Sequence, residues 1–138
     1  MIVIIRIKGM VDRNRDIVET LSRLRLRRKY SCVVLAENDV IKGMLQKVRS
    51  FIAYGEIDKD TLVELIKARG QLIDKADKID AEKIADEIIK KGNMKDLKIK
   101  PFFRLHPARG GIVSKQHFPK GVLGNHGVEI NKLVRRML

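Results

Sequence analysis

Apolar residues in the first 57 positions follow two different spacings. Continuous β-branched or apolar runs predict three strands: Ile2–Ile7, Ser31–Leu35 and Phe51–Tyr54. Between the runs, apolar residues recur at helical spacing, first at Ile17, Leu21 and Leu24 and then at Val40, Met44, Val48 and Phe51. The pattern therefore predicts a β-α-β-α-β order.

Polar residues mark where these two helices begin. Asp12 or Asn14 can cap the first helix, and Asn38 or Asp39 can cap the second. We expect the first helix to run through a basic segment at its C-terminal end, where cations suit the helix dipole. That segment contains Arg23, Arg25, Arg27, Arg28 and Lys29.

Three strands are too few to support helices on both faces of a sheet. Both helices are therefore expected on one face, in a two-layer α+β, truncated ferredoxin-like core. The other face would be open, or covered by the chain that follows.

The remainder of the chain divides at about residue 97, and we treat 58–138 as a C-terminal extension of a 1–57 core. Two helices are predicted in the spacer 58–97, the first starting at Asp60 and ending at a left-handed Gly70, the second running from Asp80 to Gly92. Residues 98–138 contain a short extended segment, 99–105, in which Pro101 allows an edge strand at best. A loop rich in Gly, His and basic residues and a helix from Glu129 to Leu138 complete the chain.

Charge adds a functional expectation to this picture. The chain of 138 residues carries a net charge of +13, distributed as +6 over 1–57, −1 over 58–97 and +8 over 98–138. Clustered Lys and Arg suit a polyanion, because several phosphate contacts must form together. The sequence has a single cysteine, Cys32, which excludes an internal disulfide and favours a buried small apolar side chain. No run of 18 apolar residues is present and residues 1–10 do not resemble a signal peptide, so we expect a cytoplasmic protein.

The candidate RNA contacts lie in the two basic zones. In the first zone they are Lys8, Arg13, Arg15, Arg23, Arg25, Arg27, Arg28, Lys29, Lys42, Gly43, Lys47 and Arg49. In the last zone they are Arg104, His106, Arg109, Gly110, Gly111, Lys115, His117, Lys120 and His126. Arginine binds phosphate bidentately and glycine lets a backbone come close. Gly43 costs about 1 kcal/mol against alanine within a helix, so a neighbouring helix or an RNA backbone should pack closely there.

The sequence gives little support for a catalytic site or a metal site. The three histidines are 11 and 9 residues apart with no thiolate or carboxylate partner nearby, so neither a metal nor a cofactor is expected. Ser114 and His117 lack an acid to orient the histidine, and the glycines of 121–127 do not match a phosphate-binding loop. With only 4% aromatic residues, stacking of single-stranded bases on the sheet is not expected, and recognition of folded RNA by backbone and shape fits better.

The order of these segments resembles the large-subunit ribosomal protein family L-thirty. The resemblance is carried by MIVIIRIKG, DIVETLSRLRLRRK and SCVVLAEND, then by VIKGMLQKV, and in the extension by TLVELIKARG and RLHPARGG, which are similar to the long archaeal form related to eukaryotic L-seven. It implies a three-stranded antiparallel sheet in the order 3-1-2, binding to large-subunit ribosomal RNA beside neighbouring ribosomal proteins, and no catalysis.

Two other functions remain open at the level of sequence. A chromatin-like protein that coats DNA would share the basic charge and small size, and would bind duplex DNA as well as structured RNA. An RNA-processing enzyme on a ferredoxin-like core would need acids near the basic loops, but residues 98–138 contain only Glu129.

Overall fold

The computed structural model describes residues 1–9, 11, 14–74 and 78–138. The strands are β1 (Ile2–Arg6), β2 (Ser31–Leu35), β3 (Ile52–Glu56), β4 (Phe103–Arg104) and β5 (Gly124–Asn125). The helices are α1 (Arg15–Arg23), α2 (Asp39–Val48), α3 (Lys59–Arg69), α4 (Ala81–Lys91) and α5 (Ile130–Met137), the last preceded by a 3-10 turn, Gly127–Glu129. The predicted β-α-β-α-β order is confirmed for the first 57 residues.

The sheet is larger than predicted. Its order is β4-β2-β1-β3-β5, so the expected central order 3-1-2 is present but flanked by two short strands from the extension. β4 pairs antiparallel with β2, whereas β5 pairs parallel with β3. β4 confirms the edge strand that was expected within 99–105, whereas β5 was not predicted. The prediction of a sheet of three antiparallel strands was wrong because each added strand has only two residues, too few for a visible alternation of apolar and polar positions.

The central strand β1 is buried on both faces. Ile2 and Ile4 belong to a hydrophobic cluster with residues of α1 and α2. Val3 and Ile5 point the other way, into a cluster with residues of α3, α4 and α5. The molecule therefore has three layers and not the predicted two, because the extension covers the face that the first two helices leave free. The core and the extension share this second cluster.

The helix ends agree with the sequence in part. The Asn14 and Asn38 side chains accept hydrogen bonds from the Asp16 and Ile41 amides, as N-caps do, at 3.1 and 2.8 Å. α1 does not continue through the basic segment: it ends at Arg23, and Arg25 adopts φ +62°. α2 likewise ends before Phe51.

Two glycines expected to end helices differ in conformation. Gly92 is left-handed, with φ +68°, as predicted. Gly70 is extended, with φ −61° and ψ 132°, so the left-handed prediction was wrong. Glycine is required at position 70 for a different reason, because a Cβ there would collide with the Ile66 carbonyl oxygen.

α5 lies very close to β3. A Cβ on Gly55 would collide with the Gly127 carbonyl oxygen and would lie 2.9 Å from the Ile130 side chain. The buried Asn131 amide ties the two elements together: it donates to the Glu56 carbonyl at 3.1 Å and accepts from the Asp58 amide at 3.0 Å. The last helix is therefore fixed against the end of the sheet.

Candidate nucleic-acid interface

The two basic zones meet where β2 pairs with β4. Ser31 lies opposite Arg104 in this pairing, which places the 24–30 loop beside residues 101–104. Between them is a groove of about 400 Å³, which we call the arginine groove. It is lined by Arg25, Arg27, Arg28, Ser31, Pro101, Phe102 and Arg104. The two basic zones thus form one surface here.

A buried arginine shapes one wall of the groove. Arg6, in β1, is fully buried, and its Nη1 donates to the carbonyl oxygens of Leu26 and Arg27 at 2.8 and 2.9 Å. Leu26 is itself fully buried and anchors the loop from below. Arg25 and Tyr30 both adopt left-handed backbone conformations, with φ +62° and +63°, which are unfavourable for residues with a side chain. The Arg6 contacts hold the loop in this strained shape.

Arg6 was not among the predicted functional residues, because it stands at the end of an apolar run. The sequence could have pointed to Arg6, since a single arginine inside a run of β-branched residues must be buried with hydrogen-bond partners if the strand is central. Carbonyl oxygens of a tightly turned loop are such partners.

The charges of the groove are not neutralised by any described acidic residue. Arg25, Arg27, Arg28 and Arg104 form no ion pair with any acid in the described part of the chain. Other predicted contacts are paired: Arg23 with Glu19 at 2.5 Å, and Lys42 with Glu37 at 3.1 Å. Four guanidinium groups gathered without carboxylates favour an anionic partner.

A second basic surface is the glycine loop, residues 109–111. Gly110 and Gly111 have φ +78° and +75°, which suits glycine alone, and nothing described lies within 4 Å of where a Gly111 Cβ would be. Arg136 holds the loop open: its Nε and Nη2 donate to the Arg109 carbonyl at 3.1 and 2.9 Å, and Nη2 also donates to the Gly111 carbonyl at 2.7 Å. Arg109 and Lys115 are exposed. Arg136 was not among the predicted residues.

The other predicted contacts on α1 and α2 are separate from the groove. Arg15, Lys47 and Arg49 are exposed, and Gly43 lies on the exposed side of α2 with no described atom within 4 Å of where a Cβ would be. Of the two alternatives for Gly43, packing by a neighbouring helix is therefore contradicted for the described residues, and contact with an RNA backbone stays a prediction.

Of the remaining predicted RNA contacts, two lie over aromatic rings, one is exposed, and one lies outside the described residues. The ammonium groups of Lys8 and Lys29 lie over the Phe51 and Tyr30 rings at 5.8 and 5.0 Å. Lys120 is exposed, in a region lined also by Glu129 and Arg136. The predicted contact Arg13 lies outside the described residues.

The three histidines differ in environment. His106 and His117 are exposed, and His117 Nε2 is 3.4 Å from Ser50 Oγ. His126 is buried: its Nε2 is 2.6 Å from the Val122 carbonyl oxygen, and its ring lies 4.5 Å from that of Phe118. Burial lowers the pKa of His126, while the Val122 carbonyl and Glu129 oppose this shift. We therefore remove His126 from the candidate RNA contacts, because it packs inside the protein.

The described residues do not form a recognisable catalytic site. Among the described residues, no three His, Cys, Asp or Glu side chains lie close enough to hold a metal ion. Cys32 is fully buried, as predicted, and burial raises the pKa of its thiol far above the usual range, so it is a poor nucleophile. None of the described helices is long and apolar enough to cross a membrane.

Known proteins resemble this chain both in its first part and in its C-terminal extension. The family model described as ribosomal protein L30p/L7e matches residues 2–52, from β1 to the start of β3. The large ribosomal subunit protein uL30 of Archaeoglobus fulgidus is 43% identical, with 99% of each chain covered. The chain belongs to the ribosomal protein L30p/L7e family.

Two further relatives extend this similarity. The uL30 protein of Pyrobaculum aerophilum is 40% identical over 98% of this chain and 92% of its own, and that of Methanococcus maripaludis strain C5 is 38% identical over 98% and 97%. The family model covers only one wall of the arginine groove. The second wall, residues 101–104, lies in the region that these longer alignments add.

Proposed function

We propose that this chain is a structural component of the large ribosomal subunit that binds folded ribosomal RNA through phosphate and shape contacts. The observation that carries the proposal is the arginine groove, where four arginines from two distant segments of the chain meet without acidic partners among the described residues. Membership of the L30p/L7e family supports the same role, since relatives along the whole chain are named large ribosomal subunit proteins. The protein is not an enzyme.

Two surfaces would contact RNA in this role. The arginine groove supplies guanidinium groups, and the glycine loop offers a backbone without side chains next to Arg109. Arg104 and His106 are exposed along the segment that joins them. The layer formed by α3 and α4 has mixed charge and would face neighbouring ribosomal proteins in the cytoplasmic ribosome.

The salt dependence of RNA binding tests the groove. A triple variant, Arg25→Gln, Arg28→Gln and Arg104→Gln, removes three cations, so the slope of log affinity against log salt should become shallower by about two units. Filter binding to large-subunit ribosomal RNA over a range of KCl concentrations measures this slope.

A matched control removes the same charge elsewhere. The triple variant Lys67→Gln, Lys90→Gln and Lys91→Gln alters exposed residues of α3 and α4 and should bind as the unchanged protein does. Equal losses in both variants would mean that net charge, and not the groove, determines binding. Equal affinity for duplex DNA and ribosomal RNA would favour the DNA-coating alternative, and absence of the tagged protein from the large-subunit peak of a native lysate would contradict the ribosomal role.

A further inference from the structure

The arginine groove has an apolar wall as well as a cationic one. Pro101 and Phe102 line it opposite Arg25, Arg27 and Arg28. The Phe102 ring is partly buried against the cluster beneath α1 and α2, which fixes its position. A site that held phosphate alone would have no use for an aromatic wall, whereas a nucleobase stacks on one.

The shape of the groove limits what can enter it. Its volume of about 400 Å³ falls in the range typical of pockets for small ligands, roughly 300–1,000 Å³. An RNA duplex is a broad convex cylinder that can lie across such a groove but cannot fill it. A single nucleotide turned out of a loop or bulge presents both a flat base and a phosphate to the two walls.

We propose that the arginine groove binds one unpaired nucleotide, with its base stacked on Phe102 and its flanking phosphates held by Arg25, Arg27 and Arg28. This inference rests on the proposed function, and specifies the kind of RNA feature that the groove recognises. The Arg104 guanidinium carbon lies 5.8 Å from the Phe102 ring centre. Because Arg104 is exposed, its guanidinium can shift outward and cover the other side of the base.

The cationic loop is already shaped before any ligand enters, and only Arg104 must move, away from the Phe102 ring. Arg6 fixes the carbonyl groups of the cationic loop, and the Leu105 amide donates to the Tyr30 carbonyl at 3.0 Å, joining the two walls beyond the end of β4. A site built in advance loses less conformational entropy on binding. The strained backbone of Arg25 is consistent with a residue held in place for contact with a ligand.

The absence of tryptophan from the sequence makes a direct test possible. Phe102→Trp places a single indole in the groove, and Ile89→Trp places one on the exposed side of α4, outside both basic surfaces, as the matched control. The probe is a single-stranded RNA of nine nucleotides, compared with the same RNA annealed to its complement, and binding is followed separately by anisotropy of an end label. We expect the single strand to quench Phe102→Trp emission by stacking, and to leave Ile89→Trp emission unchanged.

A second variant measures how much the ring contributes. Phe102→Leu keeps the apolar bulk but loses the aromatic face, so affinity for the single strand should fall by about tenfold while affinity for the duplex is unchanged. A melting curve checks that this variant folds; if it does not, the emission of the two tryptophan variants decides alone. Bound single strand that leaves Phe102→Trp emission unquenched would overturn the proposal.

The two proposals fail in different ways. If the unchanged protein does not sediment with the large subunit, the ribosomal function is wrong. If it does sediment there, but single strand and duplex act alike on Phe102→Trp, only the nucleotide pocket is wrong and the groove contacts phosphates alone.

Discussion

Replacing Gly43 by alanine should separate folding from RNA binding. Gly43 lies within α2, and nothing described lies within 4 Å of the position that a Cβ would occupy. Alanine is favoured over glycine in a helix interior by about 1 kcal/mol, so Gly43→Ala should stabilise the free protein by that amount. For a domain of this size the melting temperature should rise by about 3–5 °C.

RNA binding should change in the opposite direction. A glycine at this position, despite its helical cost, suggests that a partner comes within contact of the α2 backbone. Lys47 lies one helical turn further on and on the same face, where it can hold a phosphate beside Gly43. A methyl group inserted into such a contact costs about 1–3 kcal/mol, which corresponds to a loss of affinity of about fivefold to 150-fold.

The experiment combines two measurements on one variant. Thermal denaturation gives stability, and filter binding to large-subunit ribosomal RNA gives affinity. Gly9→Ala serves as the control for binding, because it also adds a Cβ in open space but lies outside any helix, and it should leave RNA affinity unchanged. Unchanged affinity of Gly43→Ala would refute the close approach of RNA, and a lower melting temperature would refute the helix argument.

Two further predictions concern the stability of the free protein. Gly55→Ala should destabilise it by about 1–3 kcal/mol in urea denaturation, because the new Cβ collides with the Gly127 carbonyl oxygen; an unchanged urea midpoint would contradict this packing. The lowered pKa of His126 means that the unfolded chain binds a proton more readily, so stability should fall as pH decreases below about 6.5. This pH dependence should be reduced in His126→Gln and retained in His106→Gln, which alters an exposed histidine. Urea midpoints from pH 7.5 to 5 measure it. Equal slopes of midpoint against pH in the two variants would show that His126 is not responsible.

The sequence could predict the elements whose pattern repeats several times. β1, α1, β2, α2 and β3 each contain enough residues for their apolar spacing to be visible, and Asn14 and Asn38 mark helix starts chemically. β4 and β5 have two residues each, and they form only because the extension folds back on the sheet edges. No local pattern encodes that return.

In the candidate site, too, the residue types could be predicted from the sequence but their arrangement in space could not. Clustering of charge was enough to predict an anionic partner and to nominate Arg25, Arg27, Arg28 and Arg104. Their grouping could not be read from the sequence, because it depends on the pairing of Ser31 with Arg104 across more than 70 positions. His126 was nominated by its neighbours in the sequence, but its side chain turns into the core.

The arginine groove is built by both the core and the extension, and the buried Arg6 holds the wall that comes from the core. A buried guanidinium is expensive unless its donors are used; Arg6 Nη1 donates to two carbonyl groups of the loop that forms the first wall, and Nε donates to the Lys8 carbonyl. That loop is continuous with β2, which in turn receives β4 and the second wall with Phe102 and Arg104. The residues that match the family model thus supply cations but no apolar surface for a base, and the extension supplies both a further arginine and the ring. Recognition of a base in this groove therefore requires both parts of the chain, whereas attraction to phosphate requires only the first.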